Sequence, residues 1–308
     1  MFNIINWARE KDIKVLGLSD TNIDNKEGNW INEKELTNMG YKGFWSKRDK
    51  KVKGSGVAII VNNEWAKHVG SVISINPYVI EIKMFFKGIT IKIIQLYTAP
   101  NDDRTLKTIL EYIKNTHVHR DKFRTIIMGD FNAIIDPNLD KQGGTQKSPK
   151  PHPIIQSLQS HNFIDTFREL NSNAKKFTWD NKRIGTNNIK TRIDYIWTDI
   201  NWLYDVVGAD IIDANLITGS DHNIAKAQLD TSNIIRNHKK HIRSSRNETR
   251  RIFRYNDIPK ETWDKYRNEM ANAINESHSL SSNWKNITTR LDKAIEEQNS
   301  DRPFMNQI

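Results

Sequence analysis

The order of apolar and polar positions changes period repeatedly along residues 1–229. At the start, Phe2, Ile5 and Ala8 recur at helical spacing, and an apolar run at residues 15–18 follows them. This pattern predicts an amphipathic helix followed by a strand that is buried on both faces. Because both periods recur further along, the region is predicted to form a mixed α/β domain.

Several stretches carry clear strand and helix signals. Residues 79–84 and 89–97 alternate on either side of a Lys-Gly pair, which predicts an antiparallel hairpin. A Gly-Ser-Gly turn precedes an apolar run at residues 57–61, which is typical of a strand. Because a phosphate-binding P-loop leads into a helix, this turn does not match one. Helical spacing over residues 106–113 predicts a helix that leads into a buried strand at residues 126–128.

The alternation continues in the second half of this region. Apolar spacing over residues 154–163 predicts a helix, and residues 177–179 are typical of a short strand. Residues 190–197 alternate as one strand, which would place Arg192 and Asp194 on the same face. These two side chains either pair with each other or serve a site.

Beyond residue 229 the composition changes. Residues 236–254 contain eight Lys or Arg against one Glu and show no apolar periodicity before Ile252, so we predict a basic linker over residues 230–255. Apolar spacing then predicts a helical extension of two amphipathic helices over residues 256–308. Since two helices bury too little surface for a core, they either dock on the main domain or begin a larger unit.

Charge and cysteine content narrow the function classes. The 308 residues include Lys+Arg 47 and Asp+Glu 37, a net charge of +10, and no Cys. Such a basic balance favours a polyanionic partner such as nucleic acid, although many proteins with this charge bind none. The lack of Cys excludes disulfides and thiolate zinc sites. A mean hydropathy of −0.70 and apolar runs of only strand length predict a protein without a membrane span, and no cleavable-signal pattern is present.

Candidate chemistry begins at residues 125–132, where a buried-strand run ends in Gly-Asp-Phe-Asn. If the chain stays extended, Asp130 and Asn132 lie on one face, so a hard oxygen ligand stands beside an amide. That pair suits a metal or a phosphate. Asp and Asn also form turns after strands, and the octapeptide alone does not choose between a site and a turn.

Other polar residues also lie at predicted strand ends. Asp20 follows the first strand, where it serves either a ligand site or a helix cap. Tyr97 ends the hairpin, as a packing aromatic or as a phosphate-binding phenol. Asp221 and His222 lie at a glycine turn before a strand at residues 224–229; the pair is either an acid/base dyad or a surface coincidence.

Basic residues near these positions are candidates for DNA contact. The run at residues 47–53 is either a solvated loop or a grip on a nucleic-acid backbone. Arg192 is the further candidate, beside Asp194. The predicted nucleic-acid-binding side chains are therefore Arg192, Lys47, Arg48, Lys50 and Lys51.

In their order and wording, three motifs resemble the endonuclease/exonuclease/phosphatase superfamily, which includes apurinic/apyrimidinic endonucleases and the endonuclease domains of non-LTR retrotransposons. The motifs are Gly-Asp-Phe-Asn at residues 129–132, Arg-Ile-Asp-Tyr at 192–195 and Ser-Asp-His at 220–222. The match covers residues 1–229. It implies a four-layered α/β sandwich of two packed, mainly antiparallel sheets.

The resemblance also implies roles for site residues. Asp20 takes the place of the family's metal-binding Glu, Asp221 binds metal or assists the His, and Asp130 orients or deprotonates the attacking water. The implied cofactor is Mg²⁺, with Mn²⁺ as its substitute, because hard cations prefer oxygen ligands.

The remaining implied roles concern the phosphate. Asn132 and Tyr97 would hold the scissile phosphate, Asp194 would support His222, and His222 would contact a phosphate oxygen in the transition state. These five catalytic residues, with the two metal ligands, form the expected site.

Two departures from the family pattern stand out. The family begins with a strand that bears an Asn-rich motif, whereas this sequence begins at or inside the following helix. In addition, Ser19-Asp20 replaces the family's Gln-Glu, which withdraws the carboxylate by ~1.5 Å. We therefore expect an N-terminally truncated copy of the domain.

Three functions follow as expectations. The first is a Mg²⁺-dependent endonuclease that nicks DNA; the second is a catalytically inactive nucleic-acid-binding remnant; the third is a phosphatase for a small phosphorylated substrate. The basic linker and helices resemble the lead-in to a reverse transcriptase, which favours a retrotransposon origin with such a domain as partner. The expected location is intracellular, and nuclear if chromosomal DNA is the substrate.

Overall fold

The computed structural model describes residues 2–51, 54–86, 89–100, 102–116, 123–144, 152–182, 188–215, 217–232 and 259–276. The chain divides into two compact units, Met1–Ser244 and Ser245–Ile308. The predicted borders at residues 229 and 255 stay a prediction, since most of the basic linker lies outside the described residues.

The first unit contains fourteen strands among its described residues. In chain order they are β1 (Val15–Leu18), β2 (Tyr41–Trp45), β3 (Ala58–Asn62), β4 (Val69–Asn76), β5 (Val79–Phe86), β6 (Ile89–Tyr97), β7 (Phe123–Asp130), β8 (Lys141–Gln142), β9 (Phe163–Asp165), β10 (Trp179–Asp180), β11 (Lys190–Thr191), β12 (Asp194–Asp199), β13 (Val206–Ile212) and β14 (Ile224–Leu229).

Six helices of the first unit flank these strands within the described ranges. They are α1 (Phe2–Glu10), α2 (Asn25–Ile31), α3 (Asn63–Ala66), α4 (Asp103–Thr116), α5 (Pro153–Ser160) and α6 (Thr166–Leu170). A π-helical turn, Asn32–Leu36, continues α2, and a 3₁₀ turn, Ile200–Asp205, follows β12.

The largest sheet has six strands in the order β4-β5-β6-β7-β12-β9. Its neighbours run antiparallel, apart from β6 and β7, which are parallel. The predicted hairpin is confirmed as β5 and β6; its turn at residues 87–88 lies outside the described residues. Smaller sheets have the orders β1-β3-β2, β13-β14 and β10-β11-β8.

Side chains alternate between successive layers, which produces the predicted four-layered sandwich. On β6, Ile94 faces a core shared with α4 and α5, whereas Ile93 faces a core shared with β3. On β3, Ile59 belongs to that second core, and Ile60 faces a third core built with α1. The order is therefore helices, six-stranded sheet, second strand layer, helices.

The second strand layer differs from the expectation of one continuous sheet. It consists of the three-stranded β1-β3-β2 sheet and the two-stranded β13-β14 sheet. Val206 and Leu229 from the two-stranded sheet pack into the same core as Val57 and Ile59. Both pieces therefore cover one face of the six-stranded sheet.

Three local predictions are corrected. The helix predicted over residues 154–163 ends at Ser160, and Phe163 begins β9. The strand predicted at residues 177–179 starts later, as β10. Residues 190–197 are two strands in different sheets, β11 and β12, because the chain breaks its alternation at Arg192.

Gly129 allows β6 and β7 to approach closely ahead of Asp130. Its φ is +143°, and a Cβ there would lie 1.8 Å from the Leu96 carbonyl oxygen.

We expect Gly129→Ala to lower the free energy of unfolding by about 2–4 kcal/mol, measured by urea denaturation. Gly40→Ala is the control: Gly40 also has a positive φ of 82°, but a Cβ would meet nothing within 4 Å. Its expected loss is about 1 kcal/mol, and equal losses would contradict the steric argument.

The second unit contributes one described helix, α7 (Lys260–Glu276), which confirms the first helix predicted in the extension. The second predicted helix lies outside the described residues. None of the helices in the described ranges has the length and apolarity that a bilayer crossing requires.

Candidate active site

Strand register places three predicted site residues side by side. Tyr97 on β6 pairs with Asp130 on β7, and Asp130 pairs with Asp194 on β12. Neighbouring strands in a sheet lie about 4.8 Å apart. Positions separated by up to 97 residues in sequence therefore lie at one end of three adjacent strands.

His222 joins this row through Asp194. The distance between His222 Nδ1 and Asp194 Oδ2 is 2.9 Å. Burial alone would lower the pKa of His222, but this hydrogen bond and the negative charges of Asp194, Asp130 and Asp221 outweigh it and raise the pKa to about 9. The imidazole is therefore positively charged near neutral pH.

Thr178 fixes the relative position of Asp194 and His222, and the sequence analysis missed it. Its hydroxyl accepts the backbone N–H of Ile193 and of Asp194 at 2.9 and 3.0 Å. Its carbonyl accepts the N–H of Asn223 at 2.6 Å. Thr178 is fully buried. The sequence signal for this role was a single hydroxyl residue between two aromatic residues, Phe177 and Trp179. Because Thr is common in strands, that signal does not distinguish Thr178 from an ordinary strand residue.

Asp130 is buried and ends β7. Its Oδ1 accepts the N–H of Asn132 at 2.8 Å, and Asn132 has a φ of 45°. The turn alternative is thus correct, and the same carboxylate also lies in the row with Tyr97 and Asp194. Burial, followed by the charge of Asp194, raises the pKa of Asp130 to about 7. The hydrogen bond from the Asn132 N–H and the charge of His222 lower this pKa, but by less.

Asn132 and Tyr97 are both neighbours of Asp130. Asn132 Nδ2 donates to the Thr98 carbonyl at 2.8 Å and to Asp130 Oδ2 at 3.2 Å. Burial, with the charges of Asp130 and Asp20, raises the pKa of Tyr97 to about 12. The phenol therefore keeps its proton and remains a hydrogen-bond donor over the neutral pH range.

Asp20 and Asp221 line the same cavity, of about 680 Å³, as Tyr97, Asp130 and His222. Asp20 is exposed, and its Oδ1 accepts a hydrogen bond from Asn22 Nδ2 at 2.7 Å. Asp221 Oδ2 accepts from Trp179 Nε1 at 2.9 Å. Both carboxylates are thus held by neighbours at the rim of the cavity.

The carboxylates fit a hard divalent cation. The side-chain ligand atoms of Asp130, Asp194 and His222 lie within 4.8 Å of one another. Because the His222 imidazole is protonated near neutral pH, the two carboxylates are the available metal ligands of this group. Among the described residues, no Lys or Arg forms an ion pair with Asp130 or Asp194. The buried charge on Asp130 is therefore under-compensated, and a cation would offset it. Asp20 and Asp221 are additional oxygen donors on the rim.

The basic run at residues 47–53 lies beside the segment that carries Asp20 and Asn22. Asn22 N–H donates to the Ser55 carbonyl at 2.8 Å, and Asp49 N–H donates to Ser55 Oγ at 3.1 Å, so Ser55 joins the two segments. Arg48 and Lys50 lie 3.9 and 3.6 Å from acidic oxygens of Glu27 and Asp24. Lys47 and Lys51 of this run are exposed, and Lys53 lies outside the described residues.

The predicted DNA contact of Arg192 is wrong, and so is its pairing with Asp194. Arg192 is 1% exposed. Its guanidinium binds both oxygens of Asp140, at 2.7 and 3.1 Å, and Asp165 Oδ2 at 2.6 Å. Since these buried carboxylates occupy the guanidinium, it does not reach a nucleic acid. Asp140 and Asp165 were not anticipated, because their partner lies far away in sequence.

Comparisons with known proteins agree on the fold. No protein-family description and no curated protein matches the sequence. Among solved structures, an AP endonuclease from Leishmania major is 18% identical, with a TM-score of 0.59 over 74% of this chain and 81% of that chain. A 3′ phosphatase from Neisseria, solved with a product DNA hairpin, is 17% identical, with a TM-score of 0.57 over 74% and 93%.

A third structure comes from a mobile element. The endonuclease domain of TRAS1, a telomere-specific non-LTR retrotransposon, is 15% identical, with a TM-score of 0.53 over 74% of this chain and 91% of that domain. The structural neighbours are thus members of the endonuclease/exonuclease/phosphatase superfamily, as the motifs indicated. At these identities the likeness establishes the four-layered fold.

Proposed function

We propose that this chain is a divalent-metal-dependent endonuclease that nicks DNA, of the type found in non-LTR retrotransposons. The row Tyr97, Asp130 and Asp194 across three adjacent strands, with His222 bonded to Asp194, carries the proposal. It combines a base, a phenolic donor and a cation in one cavity. These are the groups that phosphodiester hydrolysis requires.

Each group has a defined task in this proposal. Asp130 takes a proton from the attacking water, whose oxygen forms the new bond to phosphorus, while Asn132 and Tyr97 bind the scissile phosphate. Charged His222 stabilises a non-bridging phosphate oxygen as the bond to the 3′ oxygen breaks, and that oxygen leaves as a hydroxyl with a proton from solvent. Asp194 keeps His222 charged and oriented through its Nδ1. Mg²⁺, held by Asp20 with Asp130 or Asp221, would supply further positive charge at the phosphate.

A plasmid assay tests the proposal. The purified full chain, incubated with supercoiled DNA and Mg²⁺, should produce nicked circles, and EDTA should abolish the product. Absence of nicking at high protein concentration would reject the enzyme. Salt-dependent DNA binding without cleavage would then support the alternative of an inactive binding remnant. The exposed Asp20 carboxylate favours that alternative, because it is not part of the group of ligand atoms within 4.8 Å of one another that Asp130, Asp194 and His222 form.

The nicking rate is expected to follow a bell-shaped pH profile. Activity requires ionised Asp130 and protonated His222, so kcat/KM should rise as pH passes about 7 and fall as it passes about 9. A higher Mg²⁺ concentration should move the acid limb to lower pH, because a cation favours the ionised carboxylate. In Asp194→Asn the alkaline limb should move to lower pH, because His222 loses its anionic partner. A profile without limbs between pH 5 and 10 would contradict these assignments.

Lys47 and Lys51 are proposed to contact the DNA backbone. Replacing both with Ala should weaken DNA binding. The slope of log Kd against log salt concentration should fall by about one to two, which corresponds to the loss of one or two phosphate contacts. The kcat at saturating DNA should stay unchanged, because neither side chain lines the cavity. Lys107→Ala on the exposed side of α4 is the charge control. An unchanged salt slope in the double variant would argue against this surface.

A further inference from the structure

Asp20 lies in a turn whose backbone conformation is uncommon. Its φ is 53°, and Asn22, two residues later, has a φ of 52°. Residues other than Gly rarely adopt this left-handed region, and they keep it only where their surroundings hold them there. The direction of the Asp20 carboxylate therefore depends on the contacts that hold this turn.

The part of the turn after Asp20 is held by the Gly-Ser-Gly segment at residues 54–56. The Thr21 N–H donates to the Gly56 carbonyl at 2.9 Å, and the Asn22 N–H donates to the Ser55 carbonyl at 2.8 Å. These two bonds join the turn to the segment that leads into β3. The part before Asp20 has a different anchor.

That second anchor is Gln95 of β6. Gln95 Nε2 donates to Ser19 Oγ at 3.0 Å, and both atoms lie 3.5 Å from the Leu96 carbonyl oxygen. Since side chains alternate along a strand, Gln95 shares a face of β6 with Tyr97, two residues later. The bond to Ser19 therefore ties the turn that carries Asp20 to the strand that carries Tyr97.

Gly17 makes room for the Gln95 amide. A Cβ at Gly17 would lie 2.0 Å from Gln95 Oε1 and 3.0 Å from Cε of Met128. Glycine weakens a strand, and it often marks a place where another group approaches closely. Gly17 therefore lets β1 come near enough to β6 for Gln95 to reach Ser19.

The Gln95 amide gains little from the core in which it lies. It is 2% exposed, its Oε1 forms no hydrogen bond with any described residue, and its register partner on β7 is Met128. A buried amide with an unpaired oxygen is less favourable than an apolar side chain of the same size. The bond to Ser19, rather than stability, therefore accounts for an amide at this position.

Asp20 is within electrostatic reach of the row of site residues. Burial is the main reason that the pKa of Tyr97 and the pKa of Asp130 are raised, and the charge of Asp20 adds to both increases. All three side chains line one cavity. A change in the position of Asp20 would therefore change the negative charge that the cavity offers a cation.

We propose that Gln95 is a positioning residue for the metal site: through Ser19, it holds the Asp20 carboxylate where that group can bind a divalent cation. This role rests on the proposed function, in which Asp20 is a metal ligand. Loss of a group that orients a metal ligand typically lowers metal affinity by about ten- to a hundredfold. Removal of the bond should therefore lower the affinity for the cation while the fold stays intact.

Mn²⁺ binding to the full chain tests this role without an activity measurement. The probe is Mn²⁺ alone, titrated into protein that has been treated with EDTA and dialysed, with free Mn²⁺ followed by electron paramagnetic resonance. Gln95→Met keeps the size of the side chain but removes the donor, and it should weaken Mn²⁺ binding about tenfold. Ser19→Ala should cause the same loss. The double variant should bind no more weakly than either single variant, because both changes remove one bond.

Two comparisons separate positioning from folding. Urea denaturation should show Gln95→Met to be at least as stable as the unaltered chain, because no half-satisfied amide remains. Gln228→Met is the matched control: a Cβ at Gly208 would lie 2.4 Å from Gln228 Oε1, but Gln228 is exposed and does not line the cavity. This control should bind Mn²⁺ as the unaltered chain does.

Asp20→Asn distinguishes the two kinds of failure, and it should weaken Mn²⁺ binding at least tenfold. If it does so while Gln95→Met and Ser19→Ala bind normally, the positioning role is wrong and the proposed function stands. Unchanged binding by Asp20→Asn would also overturn the role. So would a loss of affinity in Gln95→Met that comes with a loss of stability, if Ser19→Ala binds normally. An unaltered chain that neither binds Mn²⁺ nor nicks DNA would reject the proposed function and this role with it.

Discussion

Replacing His222 with Ala is expected to reduce the rate of plasmid nicking by about a thousandfold. The substitution removes the positive charge that the proposed mechanism directs at the phosphate, and it leaves Asp194 without its 2.9 Å partner. Single-turnover nicking at saturating DNA and Mg²⁺ measures the effect on chemistry. DNA affinity should change by less than about threefold, since one of several phosphate contacts is lost.

The control for this experiment is His68→Ala. His68 stacks on Phe86, and neither residue lines the cavity, so the loss of His68 should leave the nicking rate unchanged. Thermal unfolding of both variants separates chemistry from folding. If His222→Ala nicks within tenfold of the unaltered chain, the assignment of His222 to the transition state is wrong.

The elements whose apolar residues repeat regularly over a short stretch of sequence were predicted correctly. The β5–β6 hairpin has alternating residues and a turn between them, and its register agrees with that expectation. Helix α1 followed by β1 was equally visible, because each has one uninterrupted period. The division of the second strand layer into two pieces was not visible, because it depends on which edges meet in space.

The break at residues 192–193 shows how tertiary contacts override a local pattern. Residues 190–197 alternate well enough for one strand, but Arg192 turns inward to Asp140 and Asp165. Those carboxylates lie 52 and 27 residues earlier in the chain. No window of about 18 residues, the length over which a period is judged, contains all three residues, so the alternation was the only signal available.

The candidate site was predictable to the extent that its groups lie at strand ends. Asp130, Asp194 and His222 were found from ordered motifs, and the structure brings their ligand atoms together. Thr178 was missed because its task is to bond two backbone N–H groups, which leaves no signature in residue type. The motif that carries Asp194 also carries Arg192, and only the structure separates a catalytic candidate from a structural residue.

Arg192→Met is expected to lower the free energy of unfolding by about 3–5 kcal/mol. The change leaves Asp140, at 0% side-chain exposure, and Asp165, at 7%, as buried carboxylates without this guanidinium. Burial already raises the pKa of Asp165 despite the charge of Arg192, so removal of that charge should raise it further. Urea denaturation at pH 8 measures the loss, and the loss should shrink as pH falls and the carboxylates take up protons.

Two comparisons make this prediction specific to the buried network. Lys176→Met removes a surface ion pair with Asp210, whose side chains are 50% and 54% exposed, and should cost less than about 1 kcal/mol. Adding Asp165→Asn to Arg192→Met should recover part of the stability, because one uncompensated charge disappears. Arg192 lies two residues before Asp194 in the chain, so a disturbed network should also displace Asp194. Nicking should therefore fall together with stability in Arg192→Met. A stable variant with unchanged nicking would show that the Arg192 network does not position β12, the strand that begins at Asp194.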